Sequence, residues 1–99
     1  MATDAYKALE EVYPKIVRMM NDEFDSHQFI LALAHKYQKL YIHALYEHRS
    51  QNRPFHRVHM AIAKRLKKRR DLVEQIDSKP SPNIFGEPSK VAIWRKVKK

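Results

Sequence analysis

The sequence predicts a single α+β domain, mostly α-helical, in which three helices precede a two-stranded antiparallel hairpin. Apolar residues recur at steps of three and four through the first two-thirds of the chain, as they do in amphipathic helices. The 99 residues include one glycine, Gly86, which favours long helices over frequent tight turns. The stretch KVAIWRKV (90–97) alternates in the way of a strand. With 43% hydrophobic residues, this length suits one packed domain spanning 1–99.

The first helix is predicted in TDAYKALEEVYPKIVRMMN (3–21), with Thr3 or Asp4 as its N-cap. Pro14 interrupts the pattern, because a proline inside a helix removes one backbone hydrogen bond and clashes with the preceding turn. The segment is therefore predicted as two pieces or as one kinked helix. Residues 1–13 are then an N-terminal helical extension of the domain.

A long second helix of about six turns is predicted in DEFDSHQFILALAHKYQKLYIHALYEHR (22–49). Asp25 or Ser26 is its expected N-cap. Phe24, just before the cap, is expected to pack onto the first turn as a hydrophobic staple. The segment SQNRP (50–54) ends this helix, because the residue before a proline avoids helical backbone angles.

A third helix is predicted from about Pro54 to Lys68. Its expected core side chains recur at steps of three and four, namely Phe55, Val58, Ile62 and Leu66. Residues 71–99 are then predicted as a hairpin and a basic tail. LVEQI (72–76) and KVAIWRKV (90–97) are its strands, DSKPSPN (77–83) belongs to the loop, and Gly86 is expected at positive φ.

The formal charge of +9 favours an anionic partner, with nucleic acid ahead of a membrane surface or an acidic protein. Cysteine is absent, which excludes disulfides and thiolate metal sites. The longest apolar run, FILALA (29–34), is far shorter than a membrane span. The amino-terminal stretch also lacks the features of a signal peptide, so we expect a cytoplasmic protein that does not enter membranes.

The order helix, helix, helix, strand, loop, strand resembles the winged-helix family of helix-turn-helix domains. FDSHQFILALAHKYQ (24–38) opens the second helix, and PFHRVHMAIAKRLKK (54–68) lies where the recognition helix would be. The wing corresponds to DLVEQI, SPNIFGEPS and KVAIWRKV. The resemblance covers residues 14–97 and departs from the family in the length of the second helix. It implies a non-enzymatic protein that binds double-stranded DNA, such as a transcriptional regulator or an accessory protein of a replicon, phage or mobile element.

In this interpretation the recognition helix enters the major groove, while the wing and tail contact phosphates. Arginine is well suited to guanine edges in that groove, which draws attention to Arg57. The run AKRLKKRR (63–70) is dense in charge, but its last four cations complement the helix dipole, so base contacts are expected earlier in the helix. The predicted nucleic-acid-binding residues are His56, Arg57, Met60, Lys64, Lys67, Lys68, Arg69, Arg70, Lys79, Lys90, Arg95, Lys96, Lys98 and Lys99.

Two alternatives stay open. One is a protein-interaction module that uses the second helix, including a homodimer, through Tyr37, Tyr41, Leu45 and His48, because tyrosine is enriched at interfaces. The same tyrosines also fit ordinary core packing. The other alternative is an RNA-binding protein. The sequence contains no catalytic, metal-binding or phosphate-loop motif, so we expect no enzyme activity, no small-molecule substrate and no cofactor or metal.

Overall fold

A computed structural model describes residues 4–83 and 85–97 of the chain. These residues form a mostly helical α+β fold with four helices and a three-stranded antiparallel sheet. The elements are α1 (Asp4–Met19), β1 (Glu23–Asp25), α2 (Ser26–Lys36), α3 (Gln38–Glu47), α4 (Pro54–Lys68), β2 (Val73–Pro80) and β3 (Lys90–Lys96). The N-cap predicted at Thr3 or Asp4 involves side chains that lie outside this description.

α1 continues through Pro14 as one helix, so the prediction of two separate pieces is wrong. Buried side chains on both sides of the proline, including Leu9 and Ile16, fix the two halves against the same core. The proline has no N–H to donate to the Glu10 carbonyl. Arg69 at the end of α4 partly replaces that donor, with 3.5 Å between its Nη1 and the Glu10 oxygen.

The predicted long second helix is wrong, because the chain divides into α2 and α3 at Tyr37 (φ −121°, ψ 61°). A straight helix over 26–47 would be about 33 Å long, whereas the whole molecule measures 37 × 30 × 21 Å. The break lets Leu33 of α2 and Ala44 of α3 both reach the core. The backbone carbonyl of His35 at the break accepts a hydrogen bond from the Gln38 side-chain amide at 3.1 Å.

The start of α2 follows the prediction closely. The Asp25 carboxylate accepts from the Gln28 N–H at 2.8 Å, and the Gln28 side chain accepts from the Asp25 N–H at 2.9 Å. This reciprocal pair is a capping box. The rings of Phe24 and Phe29 lie 6.1 Å apart, as expected for the hydrophobic staple. The N-cap is therefore confirmed as Asp25.

The sheet has the order β1-β3-β2, so the predicted two-stranded hairpin omitted one strand. β1 is three residues long and pairs Phe24 with Trp94 on β3. β2 runs to Pro80, and the loop predicted to start at residue 77 therefore starts later. A register shift between Gln75 and Asp77 marks an irregularity within β2. Gly86 has φ 81°, as predicted.

The core lies between the helices and one face of the sheet. On α4 the predicted bounds are confirmed, and Val58, Ile62 and Leu66 are fully buried. Phe55 was expected in the same stripe, but it is 45% exposed and packs on the hairpin loop instead. The Tyr13 hydroxyl donates to the Ile62 carbonyl at 2.9 Å and connects α1 to α4. Across the described helices, none combines the length and the apolar character that crossing a membrane requires.

Candidate nucleic-acid interface

The outward face of α4 is basic. α4 contains no acidic residue, and His56, Met60, Lys64 and Lys67 recur on the side opposite its buried stripe. All four side chains are exposed, and so is Lys68. The three lysines form no ion pair with any other described residue. This face can therefore attract an anion without first breaking an internal contact.

Arg57 lies at the edge of this face, and one nitrogen of its side chain is hydrogen-bonded within the protein. Its Nε donates to the Asn52 carbonyl at 2.9 Å, in the turn that precedes α4. That turn ends at Arg53, whose left-handed φ of 56° is unusual for a residue with a side chain. Within the described chain the other two guanidinium nitrogens of Arg57 form no hydrogen bond or ion pair, so they stay available for a bidentate contact.

Two arginines of the run AKRLKKRR face inward rather than outward. Arg65 forms an ion pair with the Glu10 carboxylate of α1. Arg69 makes two hydrogen bonds to the Asp71 carboxylate, both at 3.0 Å, and those bonds raise its pKa further. The predicted phosphate contact at Arg69 thus falls on a side chain whose charge is already neutralised by a neighbour. The arginines hold α1, α4 and the turn before β2 together.

The other predicted phosphate contacts differ in how free they are. Lys79, Lys90 and Arg70 are exposed and form no ion pair within the described residues. Arg95 pairs with Glu23 of β1 at 3.2 Å. The Lys96 ammonium donates to the Arg18 carbonyl at 3.3 Å. Lys98 and Lys99 lie outside the described residues.

The loop between β2 and β3 bends toward α4. Asn83 shapes it, because its side-chain oxygen accepts from the backbone N–H of Phe85 at 2.9 Å and of Glu87 at 3.0 Å. The loop places the Phe85 ring 5.0 Å from Phe55 and 5.9 Å from His59, centroid to centroid. An aromatic contact therefore joins the hairpin to the first two turns of α4.

A groove with a volume of about 680 Å³ runs between α4, the start of α2 and the hairpin. His59 lies on its wall, and burial, followed by the nearby His27 and His56, lowers its pKa to about 4. His59 is therefore neutral at pH 7, and its Nε2 lies 2.5 Å from the Tyr41 hydroxyl. Sequence reasoning did not identify Phe85, His59 or His27 as residues that line this groove. The placement of Phe85 beside the sole glycine, at a hairpin tip, was the available signal.

The residues predicted for a protein interface are mostly turned inward. Tyr37, Tyr41 and Leu45 are partly buried and pack against the core. His48 stacks on Tyr6 of α1, with ring centroids 5.0 Å apart. On α3 the exposed apolar side chains are instead Ile42 and Tyr46, one helical turn apart.

The six histidines do not assemble a metal centre in the part of the chain that the structure describes. No group of three metal-ligating side chains converges there. His43 contacts the Glu47 carboxylate at 4.0 Å, a spacing of one helical turn. Comparison with protein-family models, with curated proteins and with solved structures finds no match to this chain.

Proposed function

We propose that the chain is a non-enzymatic, double-stranded DNA-binding protein of the winged-helix type. α4 enters the major groove and the β2–β3 hairpin lies along the phosphate backbone. The observation that carries the proposal is the acid-free outer face of α4 beside the hairpin, where Lys64, Lys67 and Lys68 are exposed and form no ion pair with a described residue. Such a cluster on one helix is the electrostatic footprint of a nucleic-acid-binding element.

The dimensions of α4 support a duplex partner. An α-helix with its side chains is about 10–12 Å wide, and the major groove of B-DNA is about 12 Å wide. The 15 residues of α4 end directly before the hairpin, so both elements can reach the same stretch of duplex. The winged-helix arrangement is supported by this element order, with α3 as an added helix between α2 and α4.

Base contacts are assigned to His56, Arg57, Met60 and Lys64 in the first half of α4. Lysines beyond them contact phosphates, which fixes the register without reading sequence. Three of the predicted phosphate contacts, Arg69, Arg95 and Lys96, already have partners within the protein. We therefore count about five phosphate contacts, from the exposed side chains of Lys67, Lys68, Arg70, Lys79 and Lys90. Counterion release then gives a log–log salt slope of about −4.5.

The test is the anisotropy of a labelled blunt DNA duplex, measured across a salt series. The variant Lys67→Ala/Lys68→Ala should weaken binding and reduce the steepness of the salt slope by about 1.8, since each lost phosphate contact removes about 0.9. The matched control is Lys15→Ala/Lys39→Ala, which removes the same charge from exposed positions on α1 and α3. The control should retain most of the affinity.

Two outcomes would sink the proposal. One is no measurable binding to duplex DNA even at low salt. The other is an equal loss in both double variants, which would mean that net charge alone drives association. A duplex RNA of the same length is included, because basic charge does not distinguish the two nucleic acids; tighter binding to that RNA would also count against the proposal.

A protein-interaction role is the second candidate, favoured by the exposed pair Ile42 and Tyr46 on α3. If α3 binds a second copy of the chain, Ile42→Asp should turn a dimer into a monomer in sedimentation equilibrium without changing DNA affinity per protomer. A monomeric wild-type protein at all concentrations would remove the homodimer version of this candidate.

A further inference from the structure

The groove between α4 and the hairpin combines a ligand-sized space with two kinds of chemistry. Its volume of about 680 Å³ is within the range of small-molecule sites, roughly 300–1,000 Å³. One wall is aromatic and another is cationic. Neither the recognition role of α4 nor the phosphate role of the hairpin requires this space, so its function needs a separate explanation.

The aromatic wall is unusually open. Phe85 is 53% exposed and Phe55 is 45% exposed, although their rings contact each other. The loop hydrogen bonds of Asn83 hold Phe85 at the hairpin tip, and His59 lies parallel to it with 9° between the ring planes. Two apolar ring surfaces are thus kept in water by ordered structure. Exposed aromatic rings in a basic setting are the platforms on which unpaired bases stack.

The cationic wall faces the same space. Arg53, Lys64, Lys67 and Lys90 line the groove, against the single carboxylate of Glu87. That carboxylate accepts a hydrogen bond from the Asn83 side chain at 3.1 Å, whereas the four cations form no ion pair within the described chain. The groove therefore has an excess of positive charge directly beside its aromatic wall.

We propose that this groove binds a nucleotide, with its base stacked on Phe85 and Phe55 and its phosphate held by the cationic wall. The proposal rests on the proposed function and deepens it, because it assigns to the groove an unpaired nucleotide next to the duplex that α4 contacts. A base inside a duplex is already stacked on both faces and does not present one to a protein ring. Strand ends and single-stranded overhangs do present one.

A tryptophan in the groove wall can report whether a nucleotide is bound. Trp94 is the one tryptophan of the chain, is 2% exposed and lines the groove from β3. Its indole N–H donates to the Ser26 hydroxyl at 2.8 Å. A nucleotide that enters the groove should change the Trp94 emission, whereas a phosphate contact on the outer side of the hairpin should not.

The experiment compares three probes: a blunt DNA duplex, the same duplex with a short single-stranded overhang, and a free 5′-mononucleotide. Affinity is read by anisotropy for the duplexes, and occupancy by Trp94 fluorescence for all three. We expect the overhang duplex to bind about tenfold more tightly than the blunt one, within the range of one stacked base. Phe85→Ala should abolish that preference and leave blunt-duplex affinity unchanged, while Phe85→Tyr should restore it.

Tyr46→Ala is the matched control, because Tyr46 is equally exposed but lies on α3, outside the groove. Equal affinity for blunt and overhang duplexes, with no Trp94 response to the mononucleotide, would overturn the groove proposal and leave duplex binding intact. Mononucleotide binding that Phe85→Ala abolishes, without an overhang preference, would support the nucleotide chemistry and identify a free nucleotide as its source. If the blunt duplex does not bind while the other probes do, the proposed duplex-binding function is wrong.

Discussion

Tyr13→Phe removes one hydroxyl group from the centre of the core and leaves the ring in place. That hydroxyl donates to the Ile62 carbonyl at 2.9 Å, across 49 residues of sequence, and so connects α1 to α4. The Tyr13 side chain is completely buried and makes an edge contact with Phe29, with ring centroids 5.0 Å apart. The substitution therefore tests the hydrogen bond while it preserves the apolar packing.

The expected loss of stability follows from the groups left behind. A buried hydrogen bond contributes about 0.5–1.5 kcal/mol net, and an orphaned buried partner adds to the cost of losing it. The Ile62 carbonyl lies inside α4 and keeps its helical bond, so the additional cost is small. We expect Tyr13→Phe to lower the free energy of unfolding by about 1–2 kcal/mol. For a domain of this size, each kcal/mol corresponds to roughly 4–8 °C in Tm.

The same hydroxyl gives a pH signature. Burial, with a further contribution from the nearby Glu10 carboxylate, raises the pKa of Tyr13 far above its ordinary value. Above about pH 10 the unfolded chain loses this proton while the folded chain keeps it, so stability should fall as pH rises. Tyr6 and Tyr41 also have raised pKa values, and Tyr13→Phe should therefore reduce the alkaline loss without removing it.

Urea unfolding monitored by Trp94 fluorescence, from pH 7 to 11, measures both effects. Tyr46→Phe is the control, because Tyr46 is exposed on α3. If Tyr13→Phe unfolds at the same urea concentration as the wild type, the Tyr13–Ile62 bond contributes nothing. An unchanged alkaline slope would refute the link between burial and the raised pKa.

Two further predictions concern charge in and around the core. His59→Gln should reduce the loss of stability on acidification. Burial keeps the pKa of His59 near 4, so between about pH 6.5 and 4 the unfolded chain binds a proton that the folded chain does not. The stability of the wild type therefore falls as pH falls through this range. Urea unfolding of the wild type and His59→Gln from pH 4 to 7 checks this, with exposed His35→Gln as the control; parallel pH profiles would contradict it. Glu10→Gln should lower stability by about 0.5–1 kcal/mol, because it removes the charged partner of Arg65 at a partly exposed site. Thermal unfolding measures it against Glu11→Gln, whose exposed side chain forms no ion pair with a described residue, and equal Tm values for the two variants would argue against a role for the ion pair.

Local sequence signals predicted the local features well. Pro54 marks the first turn of α4, Asp25 is the N-cap of α2, and Gly86 has the positive φ expected of it. Each of these features is set by residues within a few positions of one another, where backbone sterics and hydrogen-bonding groups act directly. The bounds of α4 follow from such signals alone.

The missed features depend on distant partners. No proline or glycine marks the break between α2 and α3 at Tyr37. The break instead allows side chains of both helices to pack into one core. β1 is three residues long and is held by its pairing with β3, seventy positions away. A segment this short shows no hydrophobic periodicity from which a strand could be predicted. The position of Phe85 against Phe55 and His59 likewise depends on how the hairpin folds back on α4.

The run AKRLKKRR shows how far charge density differs from an available binding surface. Helical spacing separates its cations, because positions 65 and 69 lie on the buried side with Leu66, while 64 and 67 lie on the outer side. Arg65 and Arg69 both reach Glu10, one at its carboxylate and one at the carbonyl that Pro14 leaves without a helical donor. These two arginines stabilise the position of α4 on α1. The lysines between them can then bind an anion without loosening the helix that carries them.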